Sequence, residues 1–227
     1  MKKIILLIFL IHFTTSCKRK INKEALKKEL DSIYNVDQTF RYLLNSPTKN
    51  YKKFLKEQGY TLEEFQKKKW VIINKHDSLN QIKVESIIKK NGYPGKSLVG
   101  EPTNKAAWYV IQHSRKNIIE KHFTLIEKAG KQKEIPMTLV AMMQDRLLMY
   151  QKKEQIYGTQ ASGREIKNNK TGKIEWKYFI WPIKNPEKVN ELRKAIGYKN
   201  TIEEYAQSMD IVYKKLTLDQ VINQNHQ

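Results

Sequence analysis

Asp145 and Arg146 are the residues whose types sit worst with their surroundings. They stand in succession inside an apolar helical run, and Ala141, Met142, Leu148 and Met149 occupy the positions one turn either side of the carboxylate. A carboxylate on an apolar face is costly unless it is paired or hydrogen-bonded. Arg146 lies about 100° further round the helix, among Met142, Met143, Met149 and Tyr150. Two other stretches carry polar groups suited to these charges. Trp108 to His113 is an apolar run that ends in Gln112 and His113, and Gln155 precedes the turn Tyr157-Gly158-Thr159-Gln160.

Two readings of this set stay open. In the functional one, Asp145 orients His113 as a general base, and these two are the catalytic candidates. Trp108, Gln112, Arg146, Gln155, Tyr157, Gly158, Thr159 and Gln160 would then line a pocket for a small polar or anionic ligand, with the guanidinium as its anion-binding group. In the other reading the cluster is a packing network. Asp145 accepts backbone N–H groups of the Tyr157–Gln160 turn, where Gly158 supplies a positive φ.

Several other chemistries are missing from the sequence. There is no HExxH, no GxSxG and no phosphate-cradling glycine motif, and no clustered His and Cys at metal-ligand spacing. Neither a metal nor a cofactor is expected. His76, His122 and His226 are isolated and read as solvent-facing. With no obvious nucleophile, binding is favoured over hydrolysis, and a hydrolase using His113 as base stands as the alternative.

Helical spacing of apolar residues dominates the chain. Glu24 to Leu44 carries Leu26, Leu30, Ile33, Phe40, Leu43 and Leu44 at helical intervals, with Asp37 and Arg41 as an i,i+4 pair. Ser46-Pro47 breaks this helix. Thr61 and Glu64 form a capping-box pattern that opens a long helix to Lys90, with a possible interruption at Asn74 to Ser78. Thr103 reads as the cap of the helix bearing Gln112 and His113. A further helix runs over Asn117 to Ala129 and stops at Gly130, and another runs from Pro136 to about Tyr150. Ala161–Lys167 and Ile174–Ile180 flank Asn168-Asn169-Lys170-Thr171-Gly172 as a β-hairpin. Two last helices are expected, over Pro186–Ile196 and Thr201 to about Lys215. The fold class is mainly α: residues 24–227 form a single multi-helix domain with one hairpin near residues 161–180.

The N-terminus has its own pattern. Lys2 and Lys3 precede an apolar run from Ile4 to Phe13, followed by Thr14-Thr15-Ser16-Cys17. Ten apolar residues are too few to span a bilayer, which takes about 20. The layout is that of a secretion signal over residues 1–16. Cys17, the only cysteine, resembles the acylated cysteine of a bacterial lipobox. Residues 17–23 would then form a lipidated tether, and the partner it implies is membrane lipid.

The formal charge is +20; Lys2 and Lys3 would leave with the leader, giving +18. The lysines are interleaved with glutamates along helix faces, which speaks against nucleic acid and for attraction to anionic headgroups.

The order of pieces resembles the DUF6624 family of uncharacterised bacterial proteins. It is carried by Asp37-Gln38 with Arg41, Gly92-Tyr93-Pro94, Val99-Gly100 and Ala106-Ala107-Trp108 with Gln112-His113. Asp145-Arg146, Gln155 with Tyr157-Gly158-Thr159-Gln160, Pro182-Ile183, and Arg193 before Gly197 complete it. Over roughly Asp31 to Tyr205 the resemblance implies that the polar cluster is a common feature of the family, and it implies no activity. The lysine-rich composition with a lipobox looks like Bacteroidota. That implies a periplasm-facing lipoprotein of the outer membrane.

Overall fold

The computed structural model describes residues 21–45, 51–167 and 171–222. The leader, Cys17, most of the tether, the break at Ser46-Pro47, Asn168–Lys170 of the hairpin turn and His226 lie outside them. Within the described residues the chain is mainly helical with one two-stranded antiparallel hairpin, as its periodicity predicts. No helix there is long and apolar enough to cross a membrane.

Helix α1 (Lys23–Asn45) is built on one apolar stripe. Leu26, Leu30, Ile33, Phe40 and Leu43 are all buried along it. α2 (Lys52–Glu57) is short. α3 (Leu62–Asn91) starts at the capping box, where the Glu64 amide donates to Thr61 Oγ1 at 3.1 Å and the Thr61 amide to Glu64 Oε2 at 2.8 Å. The helix runs straight through Asn74–Ser78, and its kink lies earlier, at Lys68. Ser78 Oγ donates back to the Asn74 carbonyl at 2.8 Å. Its hydroxyl is thus used inside the helix and caps nothing.

After α4 (Lys96–Val99), a 3₁₀ turn over Thr103–Lys105 leads into α5 (Ala106–Gln112). Thr103 does not cap α5. Its hydroxyl donates to Asp31 Oδ1 at 2.6 Å, which ties the turn to α1. α6 (Lys116–Lys131) continues through Gly130, because the glycine serves packing and not termination. A Cβ there would strike Val140 and Met137 of α7 (Met137–Tyr150).

Strands β1 (Ala161–Lys167) and β2 (Ile174–Ile180) pair with Ala161 opposite Ile180 and Lys167 opposite Ile174. α8 (Val189–Ala195), α9 (Ile202–Gln207) and α10 (Leu218–Ile222) follow. The first two are shorter than their sequence suggests. α9 stops because Asp210 takes a φ of 58° and the Ile211 amide turns back to the Ala206 carbonyl at 3.0 Å. That left-handed closure ends the helix before Lys215.

Three apolar clusters hold the molecule. The largest joins the first half of α1 to the end of α3, α5, α6 and α7. The second joins the rest of α1 to α2 and the start of α3, around Phe40, Leu55, Phe65 and Ile73. The third gathers Ile180, Ile183, Val189, Ile202 and Ala206 in the C-terminal part. Each fully buried Leu, Ile or Phe contributes about 1.5–3 kcal/mol. Between the first two clusters the apolar stripes are interrupted by polar residues, and there the candidate site lies.

Candidate functional site

The structure separates the residues that the sequence groups together. Asp145, fully buried on α7, has its carboxylate spent on the following loop. Oδ1 accepts the Ile156 amide at 2.8 Å, and Oδ2 accepts the Thr159 amide and hydroxyl, each at 3.0 Å. The Tyr157 amide reaches both oxygens, at 3.2 and 3.1 Å. Burial pushes the Asp145 carboxyl above its ordinary value, against the pull of these hydrogen bonds. Those partners fill the lone-pair directions of a carboxylate. His113 is not among them, so the expected Asp145–His113 pair is replaced by a clamp on the loop.

Most of the other candidates belong to this clamp. Gln155 accepts the Gln160 amide at 2.8 Å and donates to the carbonyls of Gln160 and Trp181 at 2.9 and 2.7 Å. Tyr157 offers its carbonyl to Arg193 Nη1 at 2.9 Å, and Thr159 offers its own to the Tyr205 hydroxyl at 2.9 Å. Gly158 has a φ of 70°, and a Cβ there would strike Ile202 and Ile183. Arg193, almost fully buried, also binds the Asn200 carbonyl and side chain. Trp108 is core: its indole N–H donates to the Leu139 carbonyl at 3.0 Å. Apart from the half-buried side chain of Tyr157, these groups are taken up by the packing of the loop.

His113 is placed elsewhere, at the C-terminal end of α5. Its Nδ1 lies 3.0 and 3.1 Å from the two oxygens of Asp37, whose side chain is only 1% exposed. Gln38 Nε2 donates to Asp37 Oδ2 at 2.7 Å, and Arg41 stands 3.8 Å from Oδ1. Arg41 also makes a short ion pair with Asp77 of α3, at 2.6 Å. Burial raises the Asp77 carboxyl and Arg41 lowers it, with the raising effect prevailing. His113, Arg41 and Asp77 are each 22% exposed at the side chain, so this cluster has a buried floor and an open top. A cleft of about 410 Å³ lined by Gln38, Thr39, Arg41, Tyr42 and Tyr51 adjoins it through Gln38 and Arg41.

Arg146 connects the two regions. Nη1 donates to the Gln112 carbonyl at 3.0 Å, one residue before His113, and Nε donates to Gln160 Oε1 at 3.2 Å. Gln160 Nε2 in turn donates to Thr159 Oγ1 and the Met142 carbonyl. Among the described residues no carboxylate lies within 4.0 Å of this guanidinium. Burial lowers the Arg146 pKa, and the charge of Arg41 lowers it further, against Tyr150. The Gln112 amide is buried with neither its oxygen nor its nitrogen hydrogen-bonded, and Asn80 Nδ2 of α3 is in the same condition. Each such group costs about 1–3 kcal/mol if it stays unsatisfied.

His76 and His122 are not solvent-facing. His122 is 7% exposed and bonds Glu85 at 2.9 Å. His76 packs on the Phe40 ring, with centroids 4.7 Å apart, and burial lowers its pKa. Among the described residues there is no group of three or more metal-ligating side chains.

Chemically, the Asp37–His113 pair differs from a plain ion pair. An ionised carboxylate only accepts, so a neutral His113 carries its proton on Nδ1 and turns the lone pair of Nε2 away from Asp37. Nε2 has no hydrogen bond to any described residue. That is a base with its tautomer fixed from behind. The nearest hydroxyl in sequence, Ser114, is committed to the Val110 carbonyl at 2.8 Å, so it supplies no free nucleophile.

Asp37 and Asp77 are the residues that sequence reasoning missed. The signal was present in both helices. Asp37 follows Ile33 by four residues and precedes Phe40 by three, so it stands on the buried stripe of α1. On α3, Asp77 follows Ile73 by four residues and Asn80 precedes Val84 by four, on the stripe that those two bury.

No curated protein and no solved structure matches the chain. One family model does match, over residues 67–217, a span that holds Asp77, His113, Asp145, Arg146 and the whole clamp but starts after Asp37 and Arg41. The chain therefore belongs to DUF6624, a family of unknown function.

Proposed function

We propose that this chain is a lipoprotein of Bacteroidota type, acylated at Cys17 and facing the periplasm from the outer membrane. Its Asp37–His113–Arg41–Asp77 cluster, with Arg146, binds a small anionic ligand. The attachment is supported by the basic start, the short apolar run and the single cysteine at its end. Several acyl chains hold a protein to a bilayer where one does not. Cys17→Ser is expected to move the protein to the soluble fraction or leave the leader uncleaved. Wild-type fractionation and mobility would overturn the anchor.

The observation that carries the binding reading is the geometry at His113. A buried carboxylate holds Nδ1 and Nε2 bonds no described residue, while Arg41 stands on Asp77 next to that carboxylate and Arg146 on the carbonyl of the residue before His113. Charge-assisted hydrogen bonds from the guanidiniums are the strong ones for carboxylate or phosphate, and the Nε2 lone pair accepts from a protonated oxygen of the ligand. Inorganic phosphate and acetate are suitable probes. In heteronuclear spectra, the side-chain signals of His113 and Arg146 should shift together on titration with one of them. Shifts confined to exposed lysines would overturn the reading.

A second reading, hydrolysis with His113 as general base on water, is favoured by the fixed tautomer. It requires that hydrolysis of p-nitrophenyl acetate or p-nitrophenyl phosphate fall in both His113→Ala and Asp37→Asn. Equal rates in wild type and variants would remove it.

A further inference from the structure

The hairpin carries an outward face that the rest of the fold does not use. Side chains alternate along β2, so Ile174, Trp176 and Tyr178 lie on one side of the sheet. They are 69%, 56% and 65% exposed, an unusual degree for three large apolar residues in a row. Across the ladder they face Lys167, Glu165 and Gly163. The Trp176 indole lies across Gly163, where a Cβ would collide with it. Its ring sits edge-on to Tyr178 with centroids 6.3 Å apart. The opposite side of the hairpin is tied down: Arg164 lies over Phe179 and donates to the Gln220 carbonyl at 3.0 Å. Ile180 anchors the base in the third apolar cluster. The aromatic face is thus held outward by a fixed support.

We infer that this face seats the protein on an anionic lipid surface. Charge selects that occupant. Ala161–Ile180 contains five basic residues, Arg164, Lys167, Lys170, Lys173 and Lys177, against Glu165 and Glu175, within a chain of net charge +20. Lys173 and Lys177 are exposed, the first just before β2 and the second on the face opposite the aromatic row. Trp and Tyr rings favour the headgroup level of a bilayer, and lysines of a hairpin lying at that level gain from anionic headgroups.

A second copy of the chain fits worse. The three side chains offer on the order of 400 Å², about half of what each partner gives to a stable interface. Two hairpins of the same basic character would also repel each other.

The test uses the full-length chain carrying Cys17→Ser, which removes acylation and keeps every other residue. Failure of the acyl-anchor reading and failure of this inference are thereby distinguishable. Vesicles of phosphatidylcholine, with and without phosphatidylglycerol, carry brominated acyl chains that quench nearby tryptophan. Quenching on the anionic vesicles should be strong and should largely disappear in Trp176→Phe. The triple variant Ile174→Ser/Trp176→Ser/Tyr178→Ser should partition about tenfold or more weakly, with thermal unfolding close to that of the parent because its targets are exposed.

Quenching that persists in Trp176→Phe, or equal binding to vesicles with and without anionic lipid, would overturn the inference. So would a concentration-dependent dimer abolished by the triple variant, which assigns the face to a second copy. Should the triple variant fail to fold, the quenching of Trp176 still decides, since Trp176→Phe keeps an aromatic ring in place.

Discussion

Asp145 and Asp37 are the same kind of residue in the same kind of place, and they do different things. Each is a carboxylate on the buried stripe of a helix, with apolar neighbours one turn away on both sides. Asp145 meets its desolvation with backbone amides and one hydroxyl of a single loop. Asp37 meets it with an imidazole, a carboxamide and a guanidinium that reach the surface. The first arrangement fixes a loop, and none of its partners titrates near neutral pH. The second holds a titratable ring in one orientation with its far nitrogen free. A buried acid is therefore no marker of function until its partners are known.

The largest effect should come from breaking the clamp. Asp145→Asn turns an acceptor into a donor against amides that already donate. The unfolding free energy should fall by about 3–5 kcal/mol, as when one member of a buried charged network is removed. Thermal or denaturant unfolding checks it. A loss below about 1 kcal/mol would mean that the loop does not need the carboxylate, and the contrast with Asp37 would collapse.

At Asp37 the same substitution should cost less and change more chemistry. Asp37→Asn removes the acceptor-only partner of His113 while Arg41 keeps Asp77. A stability loss of about 1–3 kcal/mol is expected. Nitrogen chemical shifts of the ring should show neutral His113 leaving its single Nδ1–H form for a mixture of tautomers. An unchanged tautomer in the variant would show that Asp37 does not set the orientation, and would break the comparison from the other side.

How much of this was legible in the sequence differs between the two acids. Asp145 announced itself, because no opposite charge lies within a turn of it except its neighbour Arg146, which points elsewhere. The clamp on the Tyr157–Gln160 turn was even one of its two sequence readings, since the loop follows a few residues later and Gly158 marks it. Asp37 was hidden by Arg41. An acid and a base at i,i+4 are the ordinary decoration of a solvated face, although Ile33 and Phe40 placed Asp37 on the buried stripe. The partner of His113 could not be read at all. It lies 76 residues away, and its approach depends on how α5 packs against α1. The helices and the hairpin followed from apolar period and turn chemistry. The late start of α8 and the early end of α9 did not, and the latter rests on a left-handed turn at Asp210, where no glycine marks it.

A third acid–histidine pair inverts the arrangement at Asp37 and serves as a control. In Glu85–His122 the histidine is the buried member and the acid is the more exposed one. Hydrogen bonds from Lys121 and then from His122 lower the Glu85 carboxyl to about 2, against some desolvation. A lowered acid pKa stabilises the fold at pH above the ordinary value of 4.5, and that contribution is lost as pH falls from 4.5 towards about 2. Glu85→Gln should cost about 1–2 kcal/mol at neutral pH after solvent screening, and the gap to wild type should close over that acid window. A gap that stays constant with pH would mean that the pair acts through packing and not through charge.

The smallest expected effect tests the open side of the comparison. His113→Ala removes a ring whose side chain is 22% exposed and whose Nε2 binds no described residue. Water can enter where the ring stood, so no closed cavity is left, and the loss should stay near 1 kcal/mol or less. What remains behind is Asp37, and it keeps Gln38 at 2.7 Å and Arg41 at 3.8 Å, so the carboxylate is not left bare. His122→Ala is the matched comparison, since that ring is 7% exposed and its removal opens space inside the packed region between α3 and α6. It should cost more than His113→Ala. If instead His113→Ala destabilised the fold as much as Asp145→Asn, the ring would be a structural peg like the clamp. The fixed tautomer would then be a by-product of packing, and the reading of this cluster as a binding site would fall with it. A small loss in His113→Ala with a larger one in His122→Ala would leave the imidazole on Asp37 without a structural role, as the binding reading expects.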